Sequence, residues 1–133
     1  MTINTDPPFA GVPVIGIATL TSASVITSRA NITGTTGLTQ LTATSTNGTP
    51  VSSIRVKSKA TSVASILFVW MYNGTTSFLW DEIDIAAVTA GNTADSFLAV
   101  KTYNDLVVPP TYQLFVSETV QTDLNAFAMG GTY

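Results

Sequence analysis

The sequence predicts an all-β fold, an antiparallel sandwich or barrel. Turn-forming clusters of Gly, Asn, Pro, Ser and Thr recur at about 8–14 residues, the strand spacing of such folds. The apolar residues between them are largely β-branched or aromatic, side chains that suit a pleated surface. No stretch sustains a 3.6-residue apolar period. The best helical candidate, "EIDIAAVTA", is short and β-branched.

Taken in order, residues 1–14 read as an extended N-terminal arm and 15–133 as a single domain. Pro7, Pro8 and Pro13 exclude regular helix from the arm. Phe9, Val12 and Val14 give it side chains to bury. Strands are expected over 15–20, 24–28, 37–44, 51–58, 64–72, 77–85, 95–102, 111–117 and 123–128. The clusters "NITGTTG", "STNGTP", "TAGNTAD" and "VVPPT" separate them. In "VSSIRVKSK", Ile54 and Val56 point one way, and Arg55, Lys57 and Lys59 the other. In "TYQLFVSE", Tyr112, Leu114 and Val116 share a face. In "GLTQLTAT" the inward face is open: Leu38 goes with Gln40 and Thr42, whereas Leu41 goes with Thr39 and Ala43.

The stretch "SILFVWMYNGTTSFLWDEIDI", from Ser65, reads as a hairpin. No charge lies between Lys59 and Asp81. A spanning helix needs about 20 mostly apolar residues without strong breakers. Here Asn73-Gly74 interrupts the run, and that pair accepts positive φ at a tight hairpin turn. The left arm, Ile66 to Tyr72, is apolar on both faces. Such a strand is buried on both sides, between layers of one protein or between subunits.

Composition narrows the function classes. Charged residues make up 10% of the 133, against about 25% in ordinary soluble domains. The neutral, hydroxyl-rich remainder favours association. The net charge of −3 disfavours nucleic-acid and anionic-membrane binding, which draw on basic patches. Without His or Cys, the usual neutral-pH base, Ser-His-Asp and Cys-His nucleophiles, zinc sites and disulfides are all excluded. "GTTGLTQL" lacks the Lys of a phosphate loop. "MTINTDPPFAGVPVIGIATL" lacks a basic leader, so export is not expected. The sequons at Asn31, Asn47 and Asn73 are then chance matches in a Thr-rich chain.

Four groups carry the remaining chemistry. Asp81, Glu82 and Asp84 could serve glycoside hydrolysis or hold calcium. On a strand Asp81 faces away from the other two, so the expected state is a solvated strand end paired with a basic neighbour. Arg55, Lys57 and Lys59 hold three of the five cations and fit an acidic protein partner. Phe68, Trp70, Tyr72, Phe78 and Trp80 could form a sugar-binding platform, but aromatics clustered on a hairpin are more often core. Asn73 and Gly74 are expected at the hairpin turn.

The Pro-containing arm, "ILFVWMYNGTTSFLWDEIDI" and "DLVVPPTYQLFVSETVQTDLNAFAMGGTY" together resemble small structural proteins of tailed bacteriophages, in particular capsid decoration or cement proteins. The resemblance covers residues 60–133. Pro109-Pro110 stands where such sequences carry Gly. It implies a jelly-roll-like β-sandwich, a homotrimer on the outer capsid, the major capsid protein as partner, and no catalysis or cofactor. It also implies assembly in the bacterial host cytoplasm. A tail or fibre component and a carbohydrate-binding adhesin module are the alternatives.

Overall fold

The structure, a computed structural model, describes residues 14–104 and 106–130. Ten strands form: β1 (Val14–Thr19), β2 (Ile32–Thr33), β3 (Thr39–Gln40), β4 (Thr49–Ser58), β5 (Ser65–Tyr72), β6 (Thr76–Ile85), β7 (Leu98–Thr102), β8 (Val107–Val108), β9 (Gln113–Glu118) and β10 (Leu124–Gly130). One 3-10 turn, Ser22–Ser24, follows β1. Two antiparallel sheets result. The first runs β1-β10-β4-β7, with β8 also on β4; the second runs β2-β6-β5-β9-β3. They pack as a sandwich. Among the described residues no helix is long and apolar enough to cross a membrane.

The space between the sheets is the main core. The first sheet supplies Ala18, Val51, Ile54, Val56, Leu124, Ala126 and Ala128; the second supplies Leu67, Val69, Ile83, Ile85, Leu114 and Val116. Alternation along residues 54–58 and along β9 puts these side chains on the inner faces, and a register shift opposite Met129 and Gly130 brings Val51 to the same side. The sheets approach closely near Gly16: a Cβ there would lie 1.8 Å from the Leu41 carbonyl oxygen.

A second core lies on the outer face of the second sheet. Phe68, Trp70 and Phe115 are buried there beneath Ile26, Ile32 and Leu38. Trp70 Nε1 donates to Ser117 Oγ at 2.9 Å, so its polar edge is satisfied in the dry interior. Phe68 meets Trp70 edge-on, with centroids 5.9 Å apart, and the Arg29 guanidinium lies 5.2 Å from the Phe68 ring centre. The two apolar faces of β5 are therefore covered by layers of the same chain. Leu38 enters this second core and Leu41 the main one, which resolves the open face of "GLTQLTAT".

Several expected strand limits need correction. Residues 24–28 form no strand; after the 3-10 turn only Val25 bridges Glu118, because the chain is crossing to cover the second sheet. Of 37–44 only Thr39–Gln40 pairs. The strand expected from 95 begins at Leu98. Two turn clusters hold short strands, Ile32–Thr33 and Val107–Val108, because neighbouring strands offer them partners. Val14, assigned to the arm, belongs to β1 and pairs with Met129. Pro7, Pro8, Phe9 and Val12 lie outside the described residues.

Asn73 and Gly74 lie in the connection between β5 and β6. Asn73 Oδ1 accepts from the amides of Thr75 (3.0 Å) and Thr76 (2.8 Å), and Gly74 adopts φ +97°. The side chain thus replaces a backbone acceptor at the turn.

Candidate functional site

The outer face of the first sheet is built in an unusual way. A sheet with one wet face normally turns its large apolar residues inward and small or polar ones outward. Past Leu124, which faces the core, β10 does the reverse: Ala126, Ala128 and Gly130 are buried, while Phe127 and Met129 point outward. In β1, Ala18 is buried and Ile17 is 60% exposed. In β7, Ala99 packs against the core, while Leu98 and Val100 are exposed at 44% and 54%.

Strand register gathers these outward residues into rows. Ile17 pairs with Phe127, Phe127 with Arg55, and Arg55 with Val100, so one row crosses all four strands. Strands lie about 4.8 Å apart, which makes such a row roughly 14 Å wide. The next row is Thr19, Asn125, Lys57 and Leu98. On the other side run Val14, Met129, Ser53 and Thr102. Exposed apolar residues scattered singly are ordinary. Contiguous ones held on a rigid sheet mark an interaction surface.

Arg55 and Lys57 stand at the centre of this face, and Lys59 lies just past the end of β4. Lys57 Nζ donates to the Ser96 carbonyl at 3.1 Å. Among the described residues the ion pairs are Arg29 with Glu82 and Lys101 with Asp81, each at 2.7 Å. The three cations of this face enter neither. Because they are three of five, the rest of the chain sets two cations against eight carboxylates. The face thus gathers most of the chain's cations, with Asp95 and Asp123 beside its Lys59 end.

The carboxylates of β6 are held apart. A bulge opposite Val69 and Trp70 makes Trp80 the extra residue, between Leu79 and Asp81. Leu79 joins the outer core, while Trp80 packs against the main core and stacks on Tyr103 with centroids 4.9 Å apart. Asp81 Oδ1 accepts from Lys101 Nζ, and Oδ2 accepts from the Tyr103 hydroxyl at 2.8 Å. Burial pushes the Asp81 carboxyl up. The bonds from Lys101 and Tyr103 outweigh it and hold the group below the usual range. Burial, and then the bond to Asp81, push the Tyr103 hydroxyl far up. Glu82 pairs with Arg29, and Asp84 is exposed. Among the described residues no group of three or more acidic side chains is placed to hold a metal.

Nor do the hairpin aromatics make an open platform. Phe68 and Trp70 are fully buried, Tyr72 packs edge-on against Phe115, and Phe78 alone of the five is well exposed. Reading the sequence singled out Arg55, Lys57 and Lys59 but missed Ile17, Phe127, Leu98 and Val100. Their signal was present: in "IGIAT", "FLAVK" and "LNAFAMG" small and large apolar residues alternate, with nothing to say which set faces in. No protein-family model matches the chain, and neither does any curated protein or solved structure compared with it.

Proposed function

We propose that this chain is a non-enzymatic structural protein that docks by the outer face of its first sheet onto a larger assembly. The carrying observation is the inverted packing along the middle of the sheet, where Ile17, Phe127, Met129, Leu98 and Val100 face outward and Ala18, Ala126, Ala128 and Ala99 face in. Aromatic, Met and Arg side chains, here Phe127, Met129 and Arg55, are the types enriched at protein interfaces.

The resemblance to phage virion proteins names the assembly. On this reading the chain is a capsid decoration or cement protein on the surface of the virion. It binds the major capsid protein and itself, as a homotrimer. The sandwich is jelly-roll-like, which the repeated crossing of the chain between the two sheets supports. Residues 1–13 act as an anchoring arm leading into β1, an edge strand of the docking sheet. Both faces of β5 are covered within the chain, so oligomer formation rests on that arm instead.

Co-sedimentation with capsids of the encoding phage, stripped of this protein, tests the reading. Wild type should bind. The double variant Ile17→Asn, Val100→Asn should fold with an unchanged melting temperature and lose binding, since both side chains face solvent in the free protein. Undiminished binding by that variant would place the interface elsewhere. No binding by the wild type would refute the capsid assignment.

A further inference from the structure

At one end of the docking face the sheet opens into a cleft of about 520 Å³, between the end of β4 and the loop 88–96. Lys57, Lys59, Thr61, Asn92 and Asp95 line it. Its walls are tied down by hydrogen bonds. Gly91 and Ala94 exchange backbone bonds at 3.0 and 3.3 Å, the Ala90 amide donates to Thr61 Oγ1 at 3.1 Å, and Ser96 Oγ donates to the Ser58 carbonyl at 2.6 Å. Lys57 bonds to Ser96 on the opposite wall. The cleft is therefore formed before anything enters it, and its volume lies in the range of about 300–1,000 Å³ that ligand sites occupy.

We propose that this cleft receives a carboxylate-bearing loop of the protein onto which the face docks. The inference rests on the docking reading and names the chemistry of the partner. Lys57 belongs both to the cleft and to the row Thr19, Asn125, Lys57, Leu98, so a partner lying across the sheet reaches the cleft without a gap. Among the lining side chains two lysines face one carboxylate, Asp95, so one incoming carboxylate balances the lining; Asp123, across the strand pair from Lys59, stands outside it. That single excess charge is too small for a polyphosphate backbone, which is gripped by many cations at once. The apolar rows beside the cleft fit a folded protein surface. A second copy docking by the same face would set Arg55 and Lys57 against their own equivalents, a repulsive arrangement.

Carbodiimide coupling on protein-loaded capsids tests this directly, because the reagent joins an amine only to a carboxylate in contact with it. Mass spectrometry should find Lys57 or Lys59 linked to an Asp or Glu of a capsid protein. In parallel, Lys57→Gln, Lys59→Gln should weaken capsid binding by about tenfold and flatten its salt dependence, as loss of interface charge does. Lys57→Arg, Lys59→Arg should restore both, with melting temperatures reporting that each variant folds. A cross-link to Asp95 alone, or to a carboxylate of a second copy, overturns the proposal. So does wild-type affinity and salt dependence in the glutamine variant. If that variant binds normally while Ile17→Asn, Val100→Asn does not, the docking face stands and only the acidic occupant is wrong. If neither changes binding, both readings fall.

Discussion

Glu118 gives the sharpest test of the physical reasoning. It ends β9 and is fully buried. Its Oε2 accepts from the Thr122 amide and the Thr122 hydroxyl, both at 3.2 Å, while Oε1 has no partner among the described residues. Burial pushes the carboxyl up; the bonds from Thr122 oppose this, and the neighbouring Asp123 adds to it. The folded protein therefore favours the protonated acid. That contribution to stability is complete below the ordinary value of 4.5 and is lost as pH rises through the elevated folded value. Glu118→Gln keeps an oxygen acceptor for Thr122 and removes the charge. It also puts an amide where the unpartnered oxygen was, so a neutral unpaired group remains. An unpartnered buried polar atom costs about 1–3 kcal/mol, and more when charged. The difference between charged and neutral is then about 1–2 kcal/mol at pH 8. For a domain of this size that is roughly 3–8 °C in melting temperature. Thermal melts of both proteins by circular dichroism, from pH 4 to 8, should show the variant ahead at pH 8 and the two converging near pH 4. Equal melting at pH 8, or a gap that widens as pH falls, would refute the reasoning.

Two further outcomes follow from the packing. Gly74→Val should lower unfolding stability by about 1–2 kcal/mol in urea titration, since a β-branched residue resists the positive φ of the turn. Phe68→Ala should cost about 3–5 kcal/mol and release the Arg29 contact. A loss below about 1 kcal/mol in the same assay would mean that residues 26–38 do not cover the second sheet as described.

The all-β class and the β5–β6 hairpin were legible in the sequence because both depend on neighbours along the chain. Asn73-Gly74 between two apolar runs specifies a turn by its own backbone preferences. Alternation in "IRVKSK" sets Ile54 and Val56 opposite Arg55 and Lys57 wherever the strand sits. Likewise, a chain without His or Cys has lost whole classes of chemistry before it folds. The tertiary structure decided what covers each face. That the same chain shields the outer side of β5, through Ile26, Ile32 and Leu38, depends on contacts 30 to 45 residues apart, which no local period records. The bulge at Trp80 shifted one residue against its partner strand and turned Trp80 to the side of the main core, a break that the run "FLWDEIDI" does not mark. The outward apolar face of the first sheet was hidden for the same reason. In "LNAFAMG" either Ala126 and Ala128 or Phe127 and Met129 could face the core. At Gly16 the second sheet comes close through the Leu41 carbonyl, which narrows the space beside the middle of β10; the small set faces it there and the large one turns outward.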